Sequence, residues 1–414
     1  MPRAIDVVSS IRDFNAGREA ERLALKYRKM AAGAFAFLRG SCHLFYERLP
    51  RDGVFKSAPR VWVCGDLHLE NFGSYKGDNR LVYFDINDFD EAALAPASWD
   101  LVRLLTSVHL AAEELGGRAA EVRRLCKGLL ATYTEALTTG KAGWVERDTV
   151  QGPVRELLDA AREQTRTQWL DKRTLRSGPR RKLKVDGSKA LPASAAQRAK
   201  VATFMAEFAR SQDEPGFFEV LDVARRIAGT GSLGQERYVI LVQGKGSPEG
   251  NYLLDLKEAQ PSSLVPLLKA AQPRWPTEAH RSVAAQQRMQ AVTMAFLHPV
   301  TLGRKACVLR GLQPAEDRIT LDRRTQTVAS LETILPTVGR LVAWAQLRSS
   351  GRDGSATADE LMAWAGREKW KSRLLEAAAA CAAQVRIDAA VFKSALTDGA
   401  LPAAPAPRAT RLSA

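Results

Sequence analysis

The chain has 414 residues, more than one average domain, and its 45% apolar and 26% charged residues are ordinary for a globular protein. No segment approaches the roughly 20 apolar residues of a membrane helix, and the first residues lack the basic start and apolar core of a secretory signal. The net charge of +15 favours an anionic ligand, and five scattered cysteines without a C-x-x-C pair favour reduced thiols in a cytoplasmic protein.

The first part of the chain is predicted to be helical, with two short strands inserted. Apolar residues recur at helical spacing over residues 15–48, and again from residue 96 to about residue 165. Between these segments, residues 60–65 and 81–89 have the composition of strands, and residues 66–80 that of a loop.

The segment GDLHLENFG, residues 65–73, places Asp66 at the end of the first strand and Asn71 in the same loop. Phosphoryl transfer needs a carboxylate that orients the attacking hydroxyl and an amide oxygen that helps to hold Mg²⁺. A D-x-x-x-x-N loop supplies both, although Asp and Asn are also common in loops as turn formers. We expect His68, which lies between them, to orient the loop through a hydrogen bond.

Four carboxylates follow on and just beyond the second strand, in the segment FDINDFDE: Asp85, Asp88, Asp90 and Glu91. Repulsion makes a dry cluster of this kind costly unless cations neutralise it, and hard oxygen ligands suit Mg²⁺. Strand alternation places Asp85 and Asp88 on opposite faces, so we expect one of them to be the principal metal ligand. The alternative is a solvated acidic turn.

Residues 166–214 are predicted to form a flexible basic connection. The run QTRTQWLDKRTLRSGPRRKLKVDGSK holds much of the excess positive charge, and Pro179 and Pro192 discourage long regular structure. Basic and aromatic residues do not alternate in it as they do in a groove for single-stranded nucleic acid. Nucleic acid is therefore a possible partner that no feature of the sequence other than its positive charge supports.

A second unit follows, with the pattern strand, glycine turn, strand, loop, strand. Its turn, GTGSLG, contains Gly229, Gly231, Ser232 and Gly234 in a G-x-G-x-x-G spacing. A dinucleotide-binding fold has the same spacing but needs a helix directly after it, whereas QERYVILVQG has the composition of a strand. A glycine turn between strands covers nucleotide phosphates in kinases, and Lys257 in the third strand would reach phosphate oxygens.

The rest of the chain is predicted to contain one further helix, two strands and a helical C-terminal part. The helix covers residues 278–293, and the strands lie within residues 305–322, joined by a turn at residues 313–317. Residues 328–397 are again helical in pattern, and the Pro- and Ala-rich residues 401–414 are expected to be disordered.

Three parts of the sequence carry a resemblance to known proteins. They are KMAAGAFAFLRGSCHLFYERL, WVCGDLHLENFGSYKGDNRLVYFDINDFDEAALAPASWDLVRLLTSV, and RIAGTGSLGQERYVILVQG with LLDLKEA. Over about residues 20–350 the chain resembles the bacterial family called domain of unknown function 2252, which is grouped with protein-kinase-like proteins near the aminoglycoside and choline phosphotransferases. The resemblance implies a kinase-like fold that uses ATP and Mg²⁺.

The similarity to aminoglycoside phosphotransferases also implies roles for single residues. Their catalytic loop reads H-G-D-x-H-x-x-N, which implies Asp66 as the catalytic base and Asn71 as a metal ligand. Their metal-binding aspartate precedes a later Asp-Leu pair by twelve residues, and Asp88 stands twelve residues before Asp100. Asp88 therefore matches the metal ligand better than Asp85 does.

The chain departs from that pattern at two places. Cys64 occupies the position of the loop's first histidine, so the usual anchoring of the loop is missing. The helix over residues 278–293 has Ala284 and Ala285 in its middle and Glu278 only at its start, so it offers no clear inward glutamate to pair with Lys257.

The parts also occur in reversed order, because Asp66 precedes the glycine turn, whereas ordinary kinases have the turn first. A circular permutation would explain this order. We therefore predict an α+β, bilobal, protein-kinase-like and circularly permuted fold, with a helical lobe and a smaller antiparallel-sheet lobe. In chain order it comprises a helical catalytic lobe (1–165), the basic flexible connection (166–214), the sheet lobe (215–324), helices completing the catalytic lobe (325–400) and a disordered tail (401–414).

The function favoured by these patterns is phosphorylation of a small-molecule hydroxyl with ATP and Mg²⁺. Two alternatives are nucleotidyl transfer with the nucleotide reversed, and a non-catalytic nucleotide-binding pseudokinase. In a permuted kinase, Lys257 must point into the same cleft as Asp88 rather than to bulk solvent. Asp66 and Asn71 should form the floor of that cleft, and Gly231 and Ser232 its roof.

Overall fold

A computed structural model describes residues 5–313, 318–322, 324 and 326–402. It is mixed α+β, with 48% helix, 16% strand and antiparallel sheets, as the sequence predicts. The predicted tail lies outside the described residues from residue 403 onward, and most of the turn predicted at residues 313–317 does so too. No helix in the described part of the chain has the length and apolar character needed to cross a bilayer.

Helices form where apolar residues recur at helical spacing, and several begin at a Ser, Thr or Asp whose side chain accepts a backbone N–H of the first turn. In chain order they are α1 (Val7–Phe14), α2 (Ala20–Met30), α3 (Ala34–Gly40), α4 (Cys42–Arg48), α5 (Val54–Ser57), α6 (Ala97–Glu114), α7 (Ala119–Thr138), α8 (Pro153–Glu163), α9 (Arg166–Asp171), α10 (Ala195–Ala209), α11 (Glu278–Met289), α12 (Val328–Arg348), α13 (Ala358–Ala365) and α14 (Lys369–Thr397).

The strands are β1 (Arg60–Val63), β2 (Phe72–Lys76), β3 (Val82–Ile86), β4 (Ala93–Pro96), β5 (Thr174–Ser177), β6 (Arg180–Leu183), β7 (Ala190–Pro192), β8 (Val220–Arg226), β9 (Arg237–Val242), β10 (Tyr252–Glu258), β11 (His298–Leu302) and β12 (Lys305–Gly311). Three small sheets pair β1 with β4, β2 with β3 and β5 with β6. The other six strands form one antiparallel sheet in the order β11-β12-β10-β9-β8-β7. Of the two strands predicted within residues 305–322, β12 lies there as predicted, but its hairpin partner β11 precedes this range.

One apolar core joins the N-terminal and the C-terminal helices. α12 packs along α7, and α14 packs along α6. Gly339 in α12 permits the close approach, because a Cβ there would lie 2.6 Å from the carbonyl oxygen of Leu129 in α7. Helices from both ends of the sequence thus support the loop that contains Asp66.

The two faces of the six-stranded sheet differ in character. Tyr238, Ile240 and Leu254 are buried on the face that packs against α10. The opposite face carries charged side chains near the glycine turn, since Lys257 on β10 stands opposite Arg237 on β9. This charged face lies on the side of the candidate site.

The prediction that residues 166–214 lack regular structure is wrong. The segment forms α9, the β5–β6 hairpin, β7 and α10, and β7 is the edge strand of the main sheet. Its charged residues alternate with apolar ones, and Leu170, Leu183 and Ala190 are buried against the sheet. Burial of this alternating apolar set orders a segment whose charge content predicted a solvated connection.

Candidate active site

The glycine turn between β8 and β9 lies directly over Asp66. A Cβ on Gly231 would be 3.3 Å from the carbonyl oxygen of Arg39 and 3.7 Å from Oδ2 of Asp66. Gly229 and Gly234 have φ values of +72° and +89°, in the left-handed region that favours glycine. The turn therefore needs its glycines both for its conformation and for its approach to the Asp66 loop.

Asp100 anchors the backbone immediately before Asp66. Its carboxylate accepts the N–H groups of Cys64 and Gly65 at 2.7 and 2.9 Å, and Tyr46 donates its hydroxyl to the carbonyl oxygen of Gly65 at 2.6 Å. Burial raises the pKa of Asp100 to about 6, although both N–H bonds oppose the rise. This carboxylate supplies the anchoring that the replacement of histidine by Cys64 had left in doubt.

Asp66 is held through one of its two carboxylate oxygens. Arg103, whose side chain is fully buried, donates Nε to Oδ1 at 3.0 Å and also donates Nη2 to the same oxygen. Oδ2 has no hydrogen-bond donor among the described residues and faces the glycine turn. Burial raises the pKa of Asp66, the Arg103 guanidinium opposes that rise, and the nearby Asp88 carboxylate adds to it.

The loop after Asp66 turns Asn71 back toward it. The Asn71 amide donates to the carbonyl oxygen of Asp66 at 2.5 Å, which leaves its own side-chain oxygen available to a ligand. His68 accepts the N–H of Glu70 at 3.2 Å, so its predicted role of orienting the loop is confirmed. Glu70 in turn pairs with Arg39 at 2.6 Å.

Of the four carboxylates predicted to form one cluster, Asp88, Asp90 and Glu91 line the cleft, whereas Asp85 lies apart from it. Asp85 is fully buried, pairs with Arg348 at 2.9 Å and accepts the N–H of Ala291 at 3.0 Å. It does not line the cleft, so the structure does not support Asp85 as a metal ligand. Protein groups satisfy Asp90 and Glu91 as well, Glu91 through the N–H and hydroxyl of Ser263 at 2.6 and 2.9 Å.

Asp88 differs from the other three carboxylates. It lines the cleft together with Asp66 and Asn71, accepts the N–H of Asp90 at a long 3.4 Å, and forms no ion pair within the described part of the chain. No three His, Cys, Asp or Glu side chains among the described residues are arranged to hold a metal ion by themselves. Magnesium bound by one or two protein oxygens and completed by substrate phosphates needs no such group, and Asp88 with Asn71 fits that chemistry.

Lys257 pairs with Asp90, and its side chain is only 6% exposed. Burial disfavours ionisation of Asp90, but the Lys257 ammonium and two nearby arginines outweigh it and lower the pKa of this carboxyl. Glu278 bonds Arg281 instead, at 2.6 Å, so α11 provides no partner for Lys257, as the sequence indicated. No sequence pattern indicated Asp90 for that role.

The cleft brings together residues from both halves of the sequence. Of the predicted site residues, Asp66, Asn71, Asp88, Gly229, Gly231 and Ser232 line it. Lys257 is not part of the lining, but it forms an ion pair with Asp90, which is. Gly234 lies outside the lining and packs against the N-terminal segment, because a Cβ there would be 2.8 Å from Cβ of Arg18.

Two N-terminal cations that were not predicted from the sequence bind the backbone of the glycine turn. Arg18 donates to the carbonyl oxygens of Gly231 and Leu233 at 2.6 and 3.0 Å, and Lys26 donates to that of Gly231 at 3.0 Å. Burial lowers the pKa of Arg18 to about 10 and that of Lys26 well below its usual range. Their positions in an amphipathic N-terminal helical region gave no sequence signal for this contact.

Three arginines surround one buried aspartate on the charged face of the sheet. Asp255 pairs with Arg226 at 2.7 Å, with Arg237 at 2.6 Å and with Arg310 at 3.3 Å. The three arginines hold its pKa well below the usual range, although burial acts in the opposite direction. This arginine cluster carries two positive charges that Asp255 does not neutralise, and Arg237 and Arg310 also act on Asp90 beside the cleft.

Comparison with known proteins identifies the family but no characterised relative. Residues 18–395 match the family described as "Uncharacterized protein conserved in bacteria (DUF2252)". No curated protein and no solved structure is significantly similar to the chain.

Proposed function

The chain belongs to the DUF2252 family, and we propose that it is an ATP- and Mg²⁺-dependent phosphotransferase acting on a hydroxyl of a small molecule. The observation that carries the proposal is the position of Gly231 above Asp66. A glycine turn over a carboxylate, with a second carboxylate and an amide oxygen beside it, is the arrangement that phosphoryl transfer requires.

Asp66 orients the attacking hydroxyl through Oδ2. The Arg103 guanidinium occupies Oδ1 and opposes the rise in pKa that burial causes at this carboxyl. Phosphoryl transfer passes through a loose transition state, so orientation matters more than the strength of the base. A carboxylate that an arginine holds in a fixed orientation suits this role.

Asp88 and the side-chain oxygen of Asn71 would hold Mg²⁺, which, when bound, neutralises charge on the transferred phosphate. Asn71 is fixed for this by its bond to the Asp66 carbonyl. Lys257 would supply a positive charge to the phosphates from β10, the strand that follows the glycine hairpin formed by β8 and β9. In protein kinases the corresponding third strand carries the phosphate-binding lysine. The reversed order of turn and loop supports a circularly permuted version of that fold.

Nucleotide entry requires the glycine turn to move away from the Asp66 loop. The cleft has a volume of about 70 Å³, far below the 300 Å³ or more of a typical ligand pocket. Arg18 and Lys26 hold the turn down through the carbonyl oxygen of Gly231. Movement of such loops on ligand binding is common in phosphotransferases.

Nucleotidyl transfer is the second candidate, and the arginine cluster favours it. In a kinase orientation the base lies under the sheet and the phosphates lie toward the acidic floor. The positive charge of Arg226, Arg237 and Arg310 makes the underside of this sheet suited to phosphates instead. A nucleotide bound in the reversed orientation would place its terminal phosphates under the sheet and its α-phosphate next to Asp66.

ATP labelled at either the α- or the γ-phosphate separates these functions. Purified protein is incubated with Mg²⁺, a metabolite extract and each labelled ATP, and the products are identified by mass spectrometry. Transfer of the γ label supports phosphotransfer, and transfer of the α label supports nucleotidyl transfer. Tight ATP binding without transfer of either label would support a pseudokinase and contradict both proposed activities.

A further inference from the structure

A cavity of about 270 Å³ lies apart from the catalytic cleft. It opens between the β2–β3 hairpin, the segment joining α8 to α9, and the ends of β10 and β12. Asp66, Asn71 and Asp88 do not line it. The proposed phosphotransfer therefore makes no use of this space.

The rim of the cavity is positively charged. Lys76, Arg80, Arg166 and Lys245 line it, and no aspartate or glutamate does so among the residues that the structure describes. All four cations are exposed. Burial raises the pKa of Tyr252 while Arg80 and Arg166 both oppose the rise, so both guanidinium groups lie near this ring. Such a rim attracts phosphate or another anion.

The wall beneath Arg80 is aromatic and conformationally strained. The Arg80 guanidinium lies 5.2 Å from the ring centre of Phe296, and that ring stacks on Phe217 at 5.4 Å. Phe217 and Tyr252 line the cavity, with ring centres 5.7 Å apart. Arg80 and Phe296 have φ values of 69° and 59°, unusual for residues with side chains, and such strain is typical of binding sites.

Two polar groups in the cavity wall lack partners. Asn251 is fully buried and donates its amide to the Gln243 carbonyl at 3.0 Å and the Ser247 hydroxyl at 2.8 Å. Its Oδ1 is buried without a hydrogen bond in the described structure, and the same holds for Nε2 of Gln313. Both residues belong to the lining of this cavity, and leaving a buried polar atom unpaired is costly.

We propose that this cavity is a second nucleotide site, which binds a phosphorylated nitrogen heterocycle such as adenine or cytosine nucleotides. The phosphate would contact Arg80 and Arg166, and the planar ring would pack on Phe217 and Tyr252. A small rotation of the Asn251 and Gln313 side chains toward the cavity would let an amino group of the base donate to the Asn251 oxygen and a ring nitrogen accept from the Gln313 amide. The site is independent of the catalytic cleft and requires no metal.

The test is calorimetric titration of the full chain with AMP and with CMP in the presence of a chelator. We expect saturable binding of at least one of them, weakened at least about tenfold in the double variant Arg80→Glu/Arg166→Glu. Arg123→Glu, which reverses an exposed charge on α7, should leave the affinity unchanged. Asp88→Asn, in the catalytic cleft, should also leave it unchanged.

Three results would overturn the proposal: no saturable binding of either nucleotide, unaltered affinity in the double variant, or loss of binding in Asp88→Asn. Adenosine and inorganic pyrophosphate test the two parts of the ligand separately. Each should bind at least about tenfold more weakly than AMP, because each lacks one group that the cavity recognises. Pyrophosphate binding as tight as that of AMP would contradict recognition of the ring.

Discussion

Arg103 bonds Asp66 through Oδ1 alone and leaves Oδ2 facing the glycine turn. The ion pair is buried, so removing either partner would leave an uncompensated charge. The arginine thus fixes the carboxylate in one orientation and opposes the rise in its pKa that burial causes. That separation of tasks between the two oxygens underlies the proposed chemistry.

Asp66→Asn should retain nucleotide binding but slow phosphate transfer by about two to four orders of magnitude, the usual range for loss of a group that accepts or orients a proton. Slow ATP hydrolysis, with water in place of the hydroxyl, provides the assay, and calorimetry provides the affinity. Asp359→Asn, at the start of α13, is the matched control and should behave like the natural chain. Full turnover in Asp66→Asn would exclude Asp66 as the orienting carboxylate.

Asp88→Asn should weaken the dependence of ATP binding on Mg²⁺. In the natural chain we expect ATP to bind at least about tenfold more tightly with Mg²⁺ than with a chelator, because the acidic floor otherwise repels the phosphates. The variant removes one negative charge and one ligand, so this difference should shrink. Calorimetric titrations with and without Mg²⁺ measure both effects, and equal affinities in the natural chain would count against a metal at Asp88.

Gly65→Ala should destabilise the fold by about 2–4 kcal/mol, because the residue has a left-handed backbone and no room for a side chain. Its φ is +82°, and a Cβ would lie 2.7 Å from Cβ of Glu91. Gly128→Ala in α7 meets no atom within 4 Å and should instead stabilise by up to about 1 kcal/mol. Urea denaturation of both variants checks the contrast, and equal stabilities would show that the loop accommodates a side chain.

Asp100 should make stability depend on pH between about 4 and 6. Its folded pKa is about 6 against an ordinary value of 3.8, so in this window the folded chain retains a proton that the unfolded chain has lost. This group's contribution to the free energy of unfolding therefore falls as pH rises through the window, by about 2–3 kcal/mol in total. Asp100→Asn should lack this component, although it should be less stable throughout.

Denaturation of the natural chain and of Asp100→Asn at several pH values isolates that component, because other titrating carboxyls contribute to both proteins. The difference in unfolding free energy between the two should narrow as pH rises from 4 to 6. A difference that stays constant, or widens, would contradict the raised pKa.

Several residues of the cleft could be predicted from the sequence because each motif consists of residues that are close together in the chain. Motif spacing pointed to the Asp66 loop and the glycine turn, strand composition and alternation identified the strands around them, and the position of Lys257 in the third strand pointed to that lysine. The partners of these residues are distant in sequence and were not predicted. Arg103 and Asp100 stand three residues apart on one face of α6, a pattern that marks neighbours on a helix but not what they contact.

Two other predictions failed because tertiary burial decided them. The basic segment that contains Leu170 and Leu183 is ordered because its few apolar residues pack on the sheet. Asp85 was grouped with Asp88 as a metal ligand, yet Arg348, far away in the sequence, neutralises it. Composition reports how much charge a segment carries, but not which of those charges a distant helix will neutralise.

The most direct test of the central claim is a crystal structure with Mg²⁺ and a non-hydrolysable ATP analogue. We expect phosphates between Gly231 and Asp88, with Mg²⁺ on the oxygens of Asp88 and Asn71 and the terminal phosphate nearest Oδ2 of Asp66. Density for the α-phosphate at that position would instead favour nucleotidyl transfer. Phosphates bound away from this cleft, with Asp66 and Asp88 untouched, would contradict the proposed active site.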